Sequence, residues 1–303
     1  MNKPVYKLRD WIDEKYLEFN YLSENPFALD ILKNNYNEIN WEYLSLNPNP
    51  EAIELLRKNP KKIFWANLSY NRSYEAMQLL KKNKNKIDWD FLSLNPFGIS
   101  LLKENQDMIS WHCLCKNSNA IDLIKDNPDK ICWPTLSYNE NAIDLLLENE
   151  DKISWDYLSL NTNDDAIKLL IKNEDLIEWD LLSVNSNDLA VKLLIENSEM
   201  INWQNFSENT NLIAIDYMKQ NLDKVDWYYL SMNPNAIEII KNNWKFVNRW
   251  CLSSNPSIFT LDYNKMRENF MDIEEEILKV ALHPKRIEYY RDKYNYDIDD
   301  MFD

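Results

Sequence analysis

Apolar and polar positions repeat along this chain with a period of 22 or 24 residues. The segment INWEYLSLNPNPEAIELLRKN, residues 39–59, returns in altered form over most of the sequence. Aligned on its Leu-Ser pairs, the chain gives eleven repeats. A fixed period of this size predicts an α-solenoid, because a unit of two short helices must stack on its neighbours to bury its apolar face. The repeats begin at Phe19, Trp41, Trp65, Trp89, Trp111, Trp133, Trp155, Trp179, Trp203, Trp227 and Arg249.

The spacing within each repeat predicts two helices, here named helix A and helix B. Helix A begins at the Trp, an aliphatic residue stands two positions before it, and a Leu usually follows three positions after it. These two apolar residues would form a hydrophobic staple that fixes how the chain enters the helix. The residue between the aliphatic one and the Trp is often an N-cap type. The N-cap candidates are Asn40, Asp88, Ser110, Ser154, Asn202 and Asp226.

Helix B begins near an Ala that is followed by apolar residues one, three and four positions later. In the second repeat these residues are Ala52, Ile53, Leu55 and Leu56. That spacing gives one apolar stripe over about two turns, which needs neighbouring repeats to cover it. The only glycine of the chain, Gly98, falls in the same slot as the Ala, which predicts a close approach of helices there.

Two sets of Asn residues frame the helices. We interpret the first set, which follows helix B, as a replacement for the glycine that usually ends a helix in the left-handed conformation. Its members are Asn35, Asn59, Asn83, Asn105, Asn127, Asn149, Asn173, Asn197, Asn221 and Asn243. The second set ends helix A and comprises Asn25, Asn47, Asn71, Asn95, Asn117, Asn139, Asn161, Asn185, Asn209, Asn233 and Asn255.

The Asn amides could also bond the loop backbone of the next repeat and so form a ladder along the array. Under this hypothesis, replacing Asn149 with Ala should destabilise the array more than replacing the exposed Lys152.

The ends of an open array would need capping segments. We expect an N-terminal cap at residues 1–18, with a helix around Trp11 and Ile12. The helical repeats are expected at 19–262, two capping helices at 263–294 and an acidic tail at 295–303. The tail could be a partner-binding peptide or could simply fray.

Composition narrows the class of protein. With 45% hydrophobic and 13% aromatic residues, the chain can bury a core, unlike a disordered acidic protein. Charges near the start argue against a signal peptide, and four Cys suit a reducing compartment. The net charge of −16 argues against broad nucleic-acid binding. The charge is uneven, because residues 51–90 carry nine basic and five acidic residues and residues 141–200 carry four and fourteen.

The sequence gives little support for catalysis or for a cofactor. Only two His occur, and a single glycine cannot build a phosphate-binding loop. His112, Cys113, Cys115 and Cys132 could hold zinc if neighbouring repeats brought them together. However, Cys115 occupies the Ser slot of its repeat and Cys132 the cap slot, so we predict neither a metal nor a cofactor. Paired carboxylates at helix starts are expected to be solvated.

Partner binding is the remaining candidate function. Residues one, two and five positions after the Trp differ between repeats and should lie on an exposed ridge. We interpret the Leu residues among them as core and favour the aromatic ones as contacts. The candidate partner-binding residues are Tyr70, Tyr138, Tyr228 and Tyr229, with Lys58, Lys61, Lys82 and Lys86 in a basic patch at 57–86.

The segments ISWDYLSLNTNDDAIKLLIKN and VDWYYLSMNPNAIEIIKNN, with the closing HPKRIEYY, carry a resemblance to a known family. They resemble the short tandem-repeat proteins of giant DNA viruses of the mimivirus kind, over about residues 10 to 300. The resemblance implies a viral origin and expression in an infected host cell, in the cytoplasm or in the virion. It carries over no catalytic residue.

The resulting expectation is a non-enzymatic scaffold or adaptor that binds a host or viral protein. The alternatives are a structural virion or assembly component that self-associates and, third, an RNA-binding protein that uses the basic patch.

Overall fold

The computed structural model describes residues 4–294, without the side chains of residues 269–276, 290–292 and 294, and divides into two compact units. The larger unit comprises residues 10–258. The smaller unit comprises residues 1–9 and 259–303, of which 4–9 and 259–294 are described. The acidic tail predicted at 295–303 lies outside the described residues. The predicted all-α helical-repeat fold is confirmed.

Helix A of each repeat begins at the predicted residue and is four to six residues long. The eleven helices A are α1 (Phe19–Leu22), α3 (Trp41–Leu44), α5 (Trp65–Tyr70), α7 (Trp89–Leu94), α9 (Trp111–Leu114), α11 (Trp133–Leu136), α13 (Trp155–Ser159), α15 (Trp179–Leu182), α17 (Trp203–Glu208), α19 (Trp227–Met232) and α21 (Arg249–Ser254).

Helix B follows in the first ten repeats. These helices are α2 (Leu29–Asn34), α4 (Pro50–Lys58), α6 (Tyr74–Lys82), α8 (Ile99–Lys103), α10 (Ile121–Lys125), α12 (Ile143–Leu147), α14 (Asp164–Lys172), α16 (Asp188–Glu196), α18 (Leu212–Gln220) and α20 (Ile237–Asn242). The two extra residues of a 24-residue repeat extend helix B to nine residues, with a side-chain N-cap such as Asn49 or Ser73. Four of the five 22-residue repeats place a 3-10 turn there instead.

Short 3-10 helices fill the connections. Those between helix A and helix B are Pro96–Gly98, Ser118–Ala120, Glu140–Ala142 and Pro234–Ala236, and Pro256–Ile258 follows α21. Those that precede a helix A are Glu14–Tyr16, Tyr36–Glu38, Pro60–Lys62, Lys84–Lys86, Gln106–Met108, Pro128–Lys130, Glu150–Lys152, Glu174–Leu176, Ser198–Met200 and Trp244–Phe246.

The core of the larger unit runs between the two helix layers of the repeats. In the second repeat, Leu44 of α3 and Ala52, Ile53 and Leu56 of α4 are fully buried, and Leu55 is half-buried. The same slots are buried in successive repeats. Gly98 is also buried, and a Cβ built on it would lie 2.7 Å from the main-chain oxygen of Leu92. The predicted close approach of helices at this slot is therefore confirmed.

A ladder of side-chain hydrogen bonds joins the repeats, and the second Asn set carries it. The Asn47 amide donates to the main-chain oxygens of Ser23 and Asn25, both at 2.9 Å, and Asn139 does the same with Cys115 and Asn117. All eleven members of this set are buried, and the ten from Asn47 onward make the equivalent pair of bonds to the preceding repeat. Each buried carbonyl that lacks a partner costs about 1–3 kcal/mol, so the ladder holds neighbouring helices A in register.

A second ladder runs through the Ser that follows the buried Leu of helix A. The Ser45 hydroxyl donates to the oxygen of Trp41 at 2.8 Å and accepts from the main-chain N–H of Phe64 in the next repeat at 3.1 Å. Cys115 takes this place in the fifth repeat, where its thiol accepts from the N–H of Cys132 at 3.3 Å. This arrangement agrees with our assignment of Cys115 to the Ser slot.

The array of repeats closes on itself. The Asn25 amide of the first repeat donates to the oxygens of Ser253 and Asn255 in the eleventh, at 3.2 and 3.0 Å. The N–H of Glu18 donates to the hydroxyl of Ser253, and α1 packs against α21 as other consecutive helices A pack. The larger unit is therefore a closed ring of eleven repeats, in which the first and last repeats cover each other's end faces. The repeats were expected to form an open array whose two ends are covered by capping segments, and the structure has a closed ring instead.

The first Asn set does not adopt the predicted left-handed conformation. Asn149, for example, has φ −138° and ψ 50°, and its amide donates to the oxygen of Leu145 one turn earlier in its own repeat at 2.9 Å. The interpretation of these residues as glycine substitutes is wrong, because the helix ends through this local bond. The ladder hypothesis is correct in kind, but Asn149 is not one of the residues that carry it.

The predicted N-caps of helix A are confirmed in four of six cases. Side chains of Asn40, Asp88, Asn202 and Asp226 accept main-chain N–H bonds from the first turn. Ser110 and Ser154 make no such bond, so their assignment as side-chain caps is wrong.

The smaller unit contains a two-stranded antiparallel sheet and two helices. Strand β1 (Tyr6–Leu8) pairs with β2 (Phe259–Leu261), with Lys7 opposite Thr260. The helices α22 (Tyr263–Ala281) and α23 (Pro284–Tyr294) lie in the region where two were predicted.

The helix expected around Trp11 and Ile12, at the start of the larger unit, is absent from the structure, which has a turn there and a 3-10 helix at Glu14–Tyr16.

Candidate partner-binding face

Helix A exposes one side to solvent, because its opposite side packs in the core and makes the hydrogen bonds of the two ladders. Successive helical residues are about 100° apart, so positions one, two and five after the first helical residue lie opposite the buried positions three and four. In α19 these exposed positions hold Tyr228, Tyr229 and Met232, whereas Leu230 and Ser231 are fully buried. The other helices A present the same positions away from the core, except that the position-two residues Thr135 and Cys251 are fully buried.

A shared cavity indicates that this exposed side is concave. The cavity, of about 470 Å³, is lined by the position-five residues of repeats 3 to 7. Side chains from the third and seventh repeats can line one cavity only where the surface that carries them curves inward. Positions one, two and five of the eleven helices A are here named the inner face. The position-five residues of this cavity are Tyr70, Leu94, Lys116, Tyr138 and Leu160.

Aromatic side chains recur on the inner face. Nine of its side chains are Tyr, Phe or Trp, and the exposed fractions of Tyr138, Tyr228 and Trp250 are 42%, 44% and 57%. Large exposed aromatic rings are the side chains most often found as anchors in protein interfaces. The nine residues are Tyr21, Tyr43, Tyr70, Phe91, Tyr138, Tyr157, Tyr228, Tyr229 and Trp250.

Neighbouring side chains hold several of these rings in place. Tyr21 and Tyr43 have ring centroids 5.5 Å apart, and Tyr228 and Tyr229 have theirs 5.1 Å apart. The hydroxyl of Tyr229 accepts a hydrogen bond from the Gln204 amide at 2.9 Å. A ring that is already fixed loses little conformational entropy when a partner binds.

Two cations of the chain already lie on tyrosine rings at the cavity. The Lys116 ammonium is 4.9 Å from the Tyr157 ring centroid. The Arg72 guanidinium carbon is 5.4 Å from the Tyr70 ring centroid, and Arg72 also donates to the Tyr70 hydroxyl at 3.3 Å. These distances are within the range of cation–π attraction.

The inner face is strongly acidic. It carries six carboxylates and one lysine, Lys116. Burial raises the pKa of the Glu24 and Glu208 carboxyls above their usual value. No ion pair within residues 4–294 neutralises any of the six, although the carboxylate of Asp180 accepts a bond from the Asn202 amide at 3.0 Å. The six are Glu24, Glu42, Asp90, Asp156, Asp180 and Glu208.

The structure brings together only part of the predicted binding set. Tyr70 and Tyr138 line the same cavity, whereas Tyr228 and Tyr229 lie on the inner face of repeat 10 and do not line that cavity. Tyr70 and Tyr229 are half-buried. The apolar position-five residues interpreted as core, such as Leu94 and Leu160, are also half-buried and form part of the cavity wall.

The predicted basic patch does not contribute to the inner face. Lys58 and Lys82 end helices B, Lys61 and Lys86 lie on 3-10 helices, and all four are exposed. Lys58 lies 4.0 Å from a carboxylate oxygen of Glu54. Other cations of the patch are also paired, including Lys81 and Lys84, which both contact Glu104, so the local positive charge is partly neutralised.

The repeated Trp residues have a structural position. All nine begin helix A and are half-buried, and several carry a lysine of the following connection over the ring. Lys62 lies 4.3 Å from the Trp41 ring centroid, and Lys152 lies 4.4 Å from that of Trp133. These contacts tie the start of one helix A to the connection that leads into the next.

The His and Cys cluster is looser than a metal site requires. Cys132 Sγ lies 3.6 Å from His112 Nδ1, while the thiol of Cys115 is buried and bonded to main chain. Within the part of the chain that the structure describes, no group of three or more His, Cys, Asp or Glu side chains could hold a metal ion. Among the same residues, no helix is long and apolar enough to cross a membrane.

Sequence reasoning missed several residues of the site. Arg72, Lys116 and Tyr157 line the cavity but were not proposed as contacts. The Trp-based register was enough to find Lys116 and Tyr157, because they occupy positions five and two. Arg72 follows the ladder Asn71 and lies outside those positions, so only the structure reveals it.

No family model, curated protein or solved structure matches the chain.

Proposed function

We propose that this protein is a non-enzymatic scaffold that binds a protein partner on the inner face of its ring of repeats. The observation that carries the proposal is the set of nine aromatic side chains on the inner face, of which Tyr70, Tyr138 and Tyr157 line its concave cavity. An exposed aromatic surface of this extent is costly to keep in water and is typical of an interaction site.

The hydrogen-bonded array of helices A that carries the inner face suits the binding of a partner better than catalysis. Every helix A is tied to its neighbours by ladders of buried hydrogen bonds, as at Asn47 and Ser45, so the face is preorganised. A preorganised site loses less entropy on binding and gains affinity for that reason. The variation between repeats then gives each part of the face its own specificity.

The resemblance to repeat proteins of giant viruses supports a place for this scaffold in an infected cell. We propose the host cytoplasm as its site of action, with a host or viral protein as partner. The alternative is a structural component that self-associates in the virion. Binding of RNA by the patch at 57–86 is less well supported, because carboxylates pair with several of its cations.

The test is affinity purification of the tagged protein from infected host cells, compared across matched variants. The first variant removes two inner-face anchors, Tyr138→Ala with Tyr228→Ala. Its control removes two exposed aromatic residues elsewhere, Tyr74→Ala with Phe64→Ala, at positions that are 68% and 47% exposed. Thermal melting of each purified protein checks that the fold is retained.

A further variant reverses the charges of the basic patch at Lys58, Lys61, Lys82 and Lys86. The proposal expects one partner that is lost with the inner-face variant and kept by the aromatic control and the charge-reversed variant. A partner lost only on charge reversal would place binding at the basic patch and refute the inner face. Recovery of nothing but the protein's own copies and capsid proteins would favour the structural alternative.

A further inference from the structure

We propose that the part of the partner held by the inner face is an extended segment rich in Lys and Arg. This inference rests on the proposed function and names the chemistry of the occupant. It follows from the negative charge of the inner face, from the cations that already lie over its tyrosine side chains, and from the distribution of its carboxylates over the ring of repeats.

Charge complementarity selects a basic occupant. The inner face carries six carboxylates and only one lysine. None of the six carboxylates has an ion-pair partner among the residues that the structure describes. Placing an acidic or phosphorylated segment there would bring like charges together in a partly desolvated site. A basic segment would instead give each carboxylate the counter-charge that it lacks.

The rings add a second attraction for the same groups. Within the chain, Lys116 lies over Tyr157 and Arg72 over Tyr70, which demonstrates that tyrosines of this surface bind an ammonium and a guanidinium. The exposed rings of Tyr138, Tyr228 and Trp250 are open to the same contact. Cation–π attraction is strongest where the cation is partly desolvated, as on a concave surface.

The distribution of the carboxylates favours an extended segment over a compact ligand. They lie in repeats 1, 2, 4, 7, 8 and 9 and are not gathered at one point. A single ion or small molecule would contact one or two of them. A basic segment without its own core can follow a concave surface and meet several repeats in turn.

Peptide binding to the full-length protein tests the inference. The probe is a fluorescent peptide of alternating Arg and Ser, compared with a Glu and Ser peptide of the same length, and the readout is fluorescence anisotropy at about 0.15 M salt. The inner-face charge variant combines Glu42→Gln, Asp90→Asn, Asp156→Asn and Glu208→Gln. Its control combines Glu150→Gln, Asp151→Asn, Glu174→Gln and Asp175→Asn, which removes equal charge from exposed 3-10 helices.

The inference expects binding of the Arg peptide only, weakened at least about tenfold by the inner-face charge variant and less than about threefold by its control. Equal weakening by both variants, or binding of the Glu peptide, would overturn it. Absence of any peptide binding, while a cellular partner still depends on Tyr138 and Tyr228, would reject the basic occupant and leave the scaffold intact. If no peptide bound and no cellular partner depended on Tyr138 and Tyr228, the scaffold function would be rejected as well.

Discussion

The side-chain amide of Asn25 donates to the main-chain oxygen of Asn255 at 3.0 Å, across a separation of 230 residues. The same bond joins every pair of consecutive repeats, as between Asn47 and Asn25 at 2.9 Å. The first and eleventh repeats are therefore joined by the same hydrogen bond as any two neighbouring repeats.

Removal of an interior ladder residue should destabilise the protein strongly. Asn139→Ala removes two buried bonds at a cost of about 3 kcal/mol, because the carbonyl of Cys115 loses its partner while that of Asn117 keeps only the N–H of Ala120. Asn149→Ala removes the bond to Leu145 at a partly exposed helix end and an exposed bond from Lys152, and should cost about 1 kcal/mol. Urea denaturation followed by circular dichroism measures both. Equal losses would contradict the different roles of the two Asn sets.

The closure of the ring predicts that an end residue behaves like an interior one. Asn25→Ala should cost about as much as Asn139→Ala, roughly 3 kcal/mol, because Asn25 makes the same two buried bonds. In an open array the first repeat would have no earlier neighbour, and the substitution would remove only the local bond from the N–H of Phe27, at a cost of about 1 kcal/mol. The same denaturation experiment therefore distinguishes a closed ring from an open one.

Gly98 should not accept the Ala found in the same slot of other repeats. A Cβ at this position would lie 2.7 Å from the main-chain oxygen of Leu92, which requires helices to move apart. Gly98→Ala should therefore destabilise the protein by about 1–3 kcal/mol, the usual cost of overpacking. Ala142→Gly, the reverse change two repeats later, is the control for the backbone effect, at about 1 kcal/mol. An unchanged melting temperature for Gly98→Ala would contradict the predicted clash.

The half-buried carboxyl of Glu24 should reduce stability at neutral pH. Burial raises its pKa above the reference value of 4.5, so the folded state holds the proton more tightly than the unfolded state does. Its unfavourable contribution is absent below 4.5 and complete once the pH has risen through the folded-state pKa. Glu24→Gln should thus raise the melting temperature near pH 7 and leave it unchanged near pH 3.

Glu42→Gln is the matched control for this pH dependence, since its carboxyl is exposed on the same face. A stabilising effect of Glu24→Gln that was equal at both pH values would point to packing and not to ionisation.

Much of the repeat could be predicted from the sequence because its slots have simple physical requirements. Trp41 marks the start of helix A, Leu44 its buried side, and Ala52 a close helix contact. The same register locates Tyr138 and Tyr228 on the exposed side. These features depend on helical periodicity and burial, which act within one repeat.

Ring closure could not be predicted in this way. It depends on a small rotation between neighbouring repeats that adds up over the whole array, and no single repeat encodes whether Asn25 will meet Asn255. The conformation of Asn149 was missed because its amide found a carbonyl one turn back, which removed the need for a left-handed residue. Strand β1 was missed because its partner β2 lies at the far end of the chain.

A closed circuit fixes the number of repeats in a way that an open stack does not. Eleven repeats share one full turn, which averages roughly 33° for each step. Duplicating or deleting one of them by unequal recombination would leave an overlap or a gap that every remaining junction would have to absorb. This lineage should therefore diversify within its repeats, through inner-face substitutions and two-residue insertions, while its repeat number stays constant.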